Sequence, residues 1–161
     1  MTPQFARSHT TERAYSERPT SQGDHYTTIG IVGHDGMKFD HTFQGYLTKK
    51  YFMILLKVFI IPMFANTNDY LIMDNCPAHK NDDVINLLKE NNVKYLFLSP
   101  YSPEYNPIEL AWSKVKNCIK KAKPRYELFL KSSIRDAIDY ISSQNAIRYF
   151  NHVERFYIVT N

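Results

Sequence analysis

Apolar and polar positions change period several times along the chain, and each change marks an element. Residues 27–33 (TTIGIVG) form a strand-like run, and His34-Asp35-Gly36 is a turn. Residues 37–45 (MKFDHTFQG) then alternate through Met37, Phe39, His41 and Phe43. Apolar runs on both sides of an Asp-Gly turn predict a β-hairpin. The most apolar stretch, residues 51–65 (YFMILLKVFIIPMFA), is interrupted by Lys57 and Pro62. It falls short of the ~20 residues that span a bilayer and predicts a buried helix over 49–64, with Thr48 as its cap.

Residues 70–75 (YLIMDN) are a continuous apolar run ending in two polar residues, the pattern of a buried strand that delivers side chains at its C-terminal end. Asn81 or Asp82 opens a helix carrying Val84, Ile85, Leu87 and Leu88, which stops near Asn91-Asn92. Residues 93–99 (VKYLFLS) predict a second buried strand, and Pro100 to Pro107 a rigid, turn-rich loop. A helix from Ile108 to about Lys121 has Leu110, Ala111, Val115 and Ile119 on its apolar side; Pro124 ends it. From Tyr126 to about Tyr149 the chain reads as helical in one or two pieces. This order predicts an α/β sheet with flanking helices. The expected organisation is one domain over 1–161, with a polar extended arm (1–26), a core (27–125) and a C-terminal helical segment (126–161).

Composition adds little to this picture. The 161 residues are 43% hydrophobic and 22% charged, enough for one real core. The net charge of +4 suits a polyanionic partner, but many basic proteins never touch nucleic acid. Cys76 and Cys118 stand in neither CxxC nor Cys/His ligand spacing, so two buried thiols in a reducing compartment are expected, without a disulfide or zinc site. The N-terminal segment has no apolar h-region, so a soluble, intracellular protein with no membrane partner is expected.

Two carboxylates carry the candidate chemistry. Asp74 ends a predicted strand, where α/β sheets place their sites. Glu109 starts the helix after the next strand's loop, with 34 residues between the two. Converging carboxylates suit Mg²⁺ or Mn²⁺, hard cations that prefer oxygen ligands. Each has a plainer alternative. Asp74 could cap the following loop, and Asn106-Pro107-Ile108-Glu109 reads as N-cap to N3, where a Glu completes a capping box.

The residues around these acids resemble the mariner superfamily of DDE transposases and its bacterial insertion-sequence relatives. YLIMDNCPAHK, followed by LFLSPYSPEYNPIELAWSKVK, is similar to that family's Asp-Asn strand end with a nearby His, its Pro-Tyr-Ser-Pro loop running to Asn-Pro-Ile-Glu, and a Trp three residues after the Glu. The resemblance extends to MTPQFARS…ERAY, TTIGIVGHDG and NAIRYFNHVERF. It implies an RNase H-like mixed sheet and metal-dependent DNA strand cleavage and strand transfer. Asp74 and Glu109 would then be the second and third acids of a metal-binding triad, with two Mg²⁺ or Mn²⁺ ions. The implied partners are transposon-end and target DNA, and the implied location is the bacterial cytoplasm and nucleoid, or the nucleus of a eukaryote. Asn75 and His79 are candidate DNA contacts, His79 being equally a structural loop residue. Trp112 reads as core. Lys114, Lys116, Lys120 and Lys121 either bind phosphates or form a solvated helix face.

The family's first acid ends a strand just before the segment that MTPQFARS resembles, and neither Asp24, Asp35 nor Asp40 replaces it. That strand is central in an RNase H-like sheet. Without it the hairpin and the Asp74 strand would present unpaired edges, each unmet buried backbone group costing on the order of 1–3 kcal/mol. The expectation is therefore a transposase catalytic-domain fragment, inactive alone and completed by full-length transposase or an upstream-encoded fragment. The alternative is a non-catalytic DNA-binding or transposase-interacting inhibitor. A general nuclease of the same fold would need a complete acid set.

Overall fold

The structure, a computed structural model, describes residues 25–122 and 127–159. Most of the polar arm lies outside these residues; its last member, Tyr26, already belongs to the first strand. Strands β1 (Tyr26–Gly33) and β2 (Gly36–Gln44) pair antiparallel as expected. Gly36, with φ of 122°, enters the ladder opposite Gly33, so the turn is only His34-Asp35. A bulge separates the pairs Ile31–Phe39 and Val32–Met37. It reverses the side-chain parity of β2. The alternation from Met37 to Phe43 therefore does not line one face. Phe39 and His41 meet Phe59, whereas Met37 packs with Trp112 on the opposite side.

The apolar stretch 49–64 is one continuous helical path in three pieces. Helix α1 (Lys49–Leu55) passes through a π-helical turn (Leu56–Ile60) into α2 (Ile61–Phe64). Thr48 Oγ1 caps it by accepting from Tyr51 N at 3.2 Å. Pro62 explains the π turn: it has no N–H for the carbonyl four residues back and its ring crowds that carbonyl, so the preceding turn widens. Among the described residues no helix is long and apolar enough to cross a membrane.

Strands β3 (Tyr70–Met73) and β4 (Lys94–Phe97) pair in parallel, connected through α3 (Asp82–Glu90). Asn81 is the N-cap of α3, its side chain accepting from Val84 N, and Asn92 at φ 53° ends the segment in the left-handed region. The strands are shorter and less buried than their apolar runs suggested. Leu71 and Met73 are buried, but Tyr70, Ile72 and Leu96 on the other face are about half exposed. The reason lies in the topology. The described residues form two separate two-stranded sheets, β1–β2 and β3–β4, with no ladder joining them. No described element covers the outer face of β3–β4.

After a 3-10 turn (Pro103–Tyr105), helix α4 (Pro107–Ala122) is followed by α5 (Glu127–Asp139) and α6 (Ser143–Val159), ten residues beyond the expected end. Two hydrophobic clusters result. One joins Phe52, Leu56, Ile60, Leu71, Met73, Val84 and Leu88; the other joins Ala111, Val115, Ile134, Ala137, Ile138 and Ile141. Trp112 does pack α4 on the hairpin, and Gly30 makes room for it. A Cβ at Gly30 would lie 2.8 Å from Trp112 Cη2 and 2.8 Å from Met37 Cε.

Candidate active site

Asp74 is the first residue beyond β3, and the turn that follows folds back on it. Its Oδ1 accepts from Cys76 N at 2.9 Å and from His79 Nδ1 at 2.7 Å. His79 is thus a support for the acid. Its ring packs against Phe52 with centroids 4.4 Å apart, and Nε2 is buried without a hydrogen-bond partner. The hydrogen bond from His79, reinforced by that from Cys76 N, holds the Asp74 carboxyl below its ordinary range; partial burial opposes this without prevailing. The Asp74 side chain is 54% exposed, and Oδ2 has no partner among the described residues, so the carboxylate is ionised, oriented and open on one side.

Glu109 lies in the first turn of α4, exposed. The capping box that its position suggested does not form. Asn106 Oδ1 accepts from Ile108 N at 3.4 Å, while Asn106 N turns back to Pro103 O at 3.0 Å, leaving no backbone donor for the Glu109 carboxylate. That carboxylate has no hydrogen-bond or ion-pair partner among the described residues. It is not drawn into the cluster around Asp74, which consists of Asp74, Cys76 and His79.

Two of the other candidates have hydrogen-bond partners within the chain. Asn75 donates through Nδ2 to Leu98 O, and its Oδ1 accepts from Lys80 Nζ at 2.9 Å. Both ends of its amide therefore tie the Asp74 turn to the end of β4. Lys114 is likewise occupied, donating to Tyr140 O and Asn145 Oδ1, both at 2.6 Å, and so pinning the α5–α6 junction onto α4. Lys116, Lys120 and Lys121 are exposed along α4. Cys76 and Cys118 are free thiols but only half-buried. Two features escaped the sequence reading. Cys76 shares the Asp74 cluster, signalled by an Asp-x-Cys-x-x-His spacing. Tyr101 stands fully exposed in the Pro100–Pro107 loop at φ 57°, a backbone state a tyrosine adopts only at a cost.

The two acids that the sequence motifs mark thus stand just past a strand end and in the first turn of the helix after the next strand, without forming one cluster. The sequence profile described as DDE superfamily endonuclease matches residues 1–128. The chain belongs to this superfamily. No curated protein matches it by sequence. Solved structures of the Mos1 mariner transposase share its fold. The catalytic domain crystallised with raltegravir and Mg aligns with a TM-score of 0.65 and 14% identity, over 81% of this chain and 71% of that one. The Mos1 paired-end complex with Mn gives 0.70 and 14%, over 95% of this chain and 48% of that one. The Mos1 strand transfer complex gives 0.69 and 14%, over 96% and 48%. This DDE chain therefore spans about half the length of the Mos1 chains in those complexes, with the RNase H-like architecture of their catalytic domain.

Proposed function

We propose that this chain is the larger part of a transposase catalytic domain, and that it performs DNA strand cleavage and strand transfer once a further strand completes its sheet. The observation that carries this reading is the state of Asp74: ionised, held by His79 and Cys76 N through one oxygen, and free at the other. A hard divalent cation needs such an oxygen, and Glu109 offers a second unpartnered carboxylate. The residues therefore suit Mg²⁺ or Mn²⁺, with Asp74 and Glu109 as ligands. The bound ions would supply activation of the attacking oxygen and charge stabilisation at the leaving one. The chain's own task is orientation. His79 fixes the Asp74 carboxylate, Asn75 fixes the turn, and Lys116, Lys120 and Lys121 attract the phosphate backbone. In this reading the triad's first acid is supplied by a strand outside the described residues, which would pair between the β1 and β3 edges. Transposon ends and target are the DNA partners, and full-length transposase or an upstream-encoded fragment is the protein partner.

The test is a nicking assay with Mn²⁺ on supercoiled and transposon-end DNA, using the chain alone and with a fragment bearing an Asp-ended strand. Nicking is expected only in the mixture, and Asp74→Asn or Glu109→Gln should abolish it. Cleavage that survives both substitutions overturns the assignment. DNA binding without cleavage in the mixture would favour a non-catalytic, inhibitory role, which the β1 and β3 edges, unpaired among the described residues, also suit, since they can pair with a strand of another transposase.

A further inference from the structure

The turn after β3 gathers three different ligand chemistries within a space smaller than a hydrated ion. A carboxylate oxygen of Asp74, the Cys76 sulfur and a ring nitrogen of His79 all lie within 4.8 Å of one another. We propose that these three side chains form a binding site for a borderline-soft transition metal of the Zn²⁺ class, which shares Asp74 with the hard-cation pair of Asp74 and Glu109 but adds a thiolate and an imidazole.

The ligand chemistry makes the distinction. Mg²⁺ and Mn²⁺ take oxygen and gain little from sulfur, whereas Zn²⁺ binds thiolate, imidazole and carboxylate at about 2.3, 2.0–2.1 and 2.0–2.2 Å. Three protein ligands with one open position is the arrangement of a Zn²⁺ site that still accepts water or an anion. The geometry here allows it. All three ligands come from one six-residue turn, closed by His79 N and Lys80 N donating to Cys76 O at 2.8 and 2.9 Å, so no distant element has to move. His79 Nδ1 already faces Asp74 at 2.7 Å, and the ring is held there by Phe52. Its other nitrogen is buried with no partner, which leaves Nδ1 as the ligand atom on the cluster side; the metal takes the place of the proton that Nδ1 shares with Asp74, and that proton passes to Nε2. The His79 side chain is 19% exposed and that of Asp74 54%, so the cluster is walled on one side and open to solvent on the other. Cys76 is a free thiol, available as the sulfur ligand.

The site itself depends only on this turn. Its consequence rests on the proposed function above: Asp74 belongs to both ligand sets, so Zn²⁺ withdraws it from the hard cation. Divalent affinities rise from Mn²⁺ towards the later first-row metals, and Zn²⁺ prevails wherever sulfur takes part. Zn²⁺ would then act as an inhibitor at the catalytic acid.

Co²⁺ titrated into the full chain is the direct probe. One equivalent should produce a thiolate-to-Co²⁺ charge-transfer band, bleached by Zn²⁺ and unaffected by excess Mg²⁺. Cys76→Ser should remove the band, His79→Asn should weaken binding by at least about tenfold, and Cys118→Ser and Glu109→Gln should leave it unchanged. The unmodified chain gives a check that needs no variant: Zn²⁺ should slow alkylation of Cys76 by iodoacetamide, read by mass spectrometry, while Cys118 reacts as before. A Co²⁺ spectrum without the thiolate band, a band that persists in Cys76→Ser, or Cys76 alkylation indifferent to Zn²⁺ would each overturn the site. Loss of Mn²⁺ binding in Glu109→Gln with the Co²⁺ band intact would support both readings. A Co²⁺ band together with Mn²⁺ binding indifferent to Glu109→Gln would support the Zn²⁺-class site and count against the hard-cation pair alone.

Discussion

Asp74 owes its charge state to what its neighbours donate. Because its carboxyl is held below the ordinary value of 3.8, chiefly by the His79 hydrogen bond, the folded form gains stability that is fully present above that value. The gain is lost as pH falls through the lowered value, and exposure of the side chain keeps it small. His79→Asn should therefore move the Asp74 pKa back towards 3.8, measured by carboxyl ¹³C shifts during an NMR titration. No movement would mean that Cys76 N and the strand end suffice. Lys114 offers a contrasting test, because the sequence reading grouped it with the phosphate-binding lysines. Lys114→Met removes two charge-assisted bonds and should cost about 1–2 kcal/mol in urea unfolding, with no change in the salt dependence of DNA binding. Lys116→Ala, Lys120→Ala and Lys121→Ala should leave stability nearly unchanged, each lowering the slope of log K against log salt by up to about 0.9. Equal behaviour of all four lysines would contradict the partition. Sequence marked these residues by type alone. Which lysine was already occupied depended on where α6 returned to α4, information no local pattern contains.

At the scale of elements, what was legible was whatever local chemistry decides. Thr48 and Asn81 are caps, Asn92 ends its segment with a left-handed residue, and Pro107 opens α4, each for reasons contained within a few residues. Side-chain parity was not legible in β2, because a single bulged position redirects Met37 away from the face that Phe39 and His41 share. Burial was not legible in β3 and β4, since an apolar run records what the strand would cover in a complete sheet. The contact of Gly30 with Trp112 shows how a parity decision becomes energetic. Gly30→Ala places a methyl group 2.8 Å from both Trp112 Cη2 and Met37 Cε, so either α4 shifts or the hairpin does. Overpacking of this kind costs about 1–3 kcal/mol. Differential scanning calorimetry should show the lower melting temperature, and Trp112, the sole tryptophan, should report the shift in its emission. A variant with unchanged melting and emission would mean that the α4–β1 contact is loose.

The molecule as a whole is divided where the sheet is divided. One hydrophobic cluster serves β3–β4 with α1, α2 and α3, the other serves α4, α5 and α6 against the hairpin, and β1 touches both through Ile31 on one face and Gly30 on the other. Among the described residues no ladder joins β1 and β3, so cooperativity between these two parts passes through side-chain packing. That is a weaker coupling than a continuous sheet provides, and it predicts two opening units. Leu88, fully buried in the first cluster, is the probe. Leu88→Ala should cost about 2–5 kcal/mol, a large share of a typical stability of about 5–15 kcal/mol. Amide hydrogen exchange should accelerate throughout β3, β4 and α3 while α4 to α6 keep their protection. Adding the strand-bearing fragment should restore coupling, so that the same substitution then accelerates exchange in both halves. Uniform acceleration without the fragment would show that packing through Ile31 already unites the fold, and that the site at Asp74 does not wait for a strand to be made rigid.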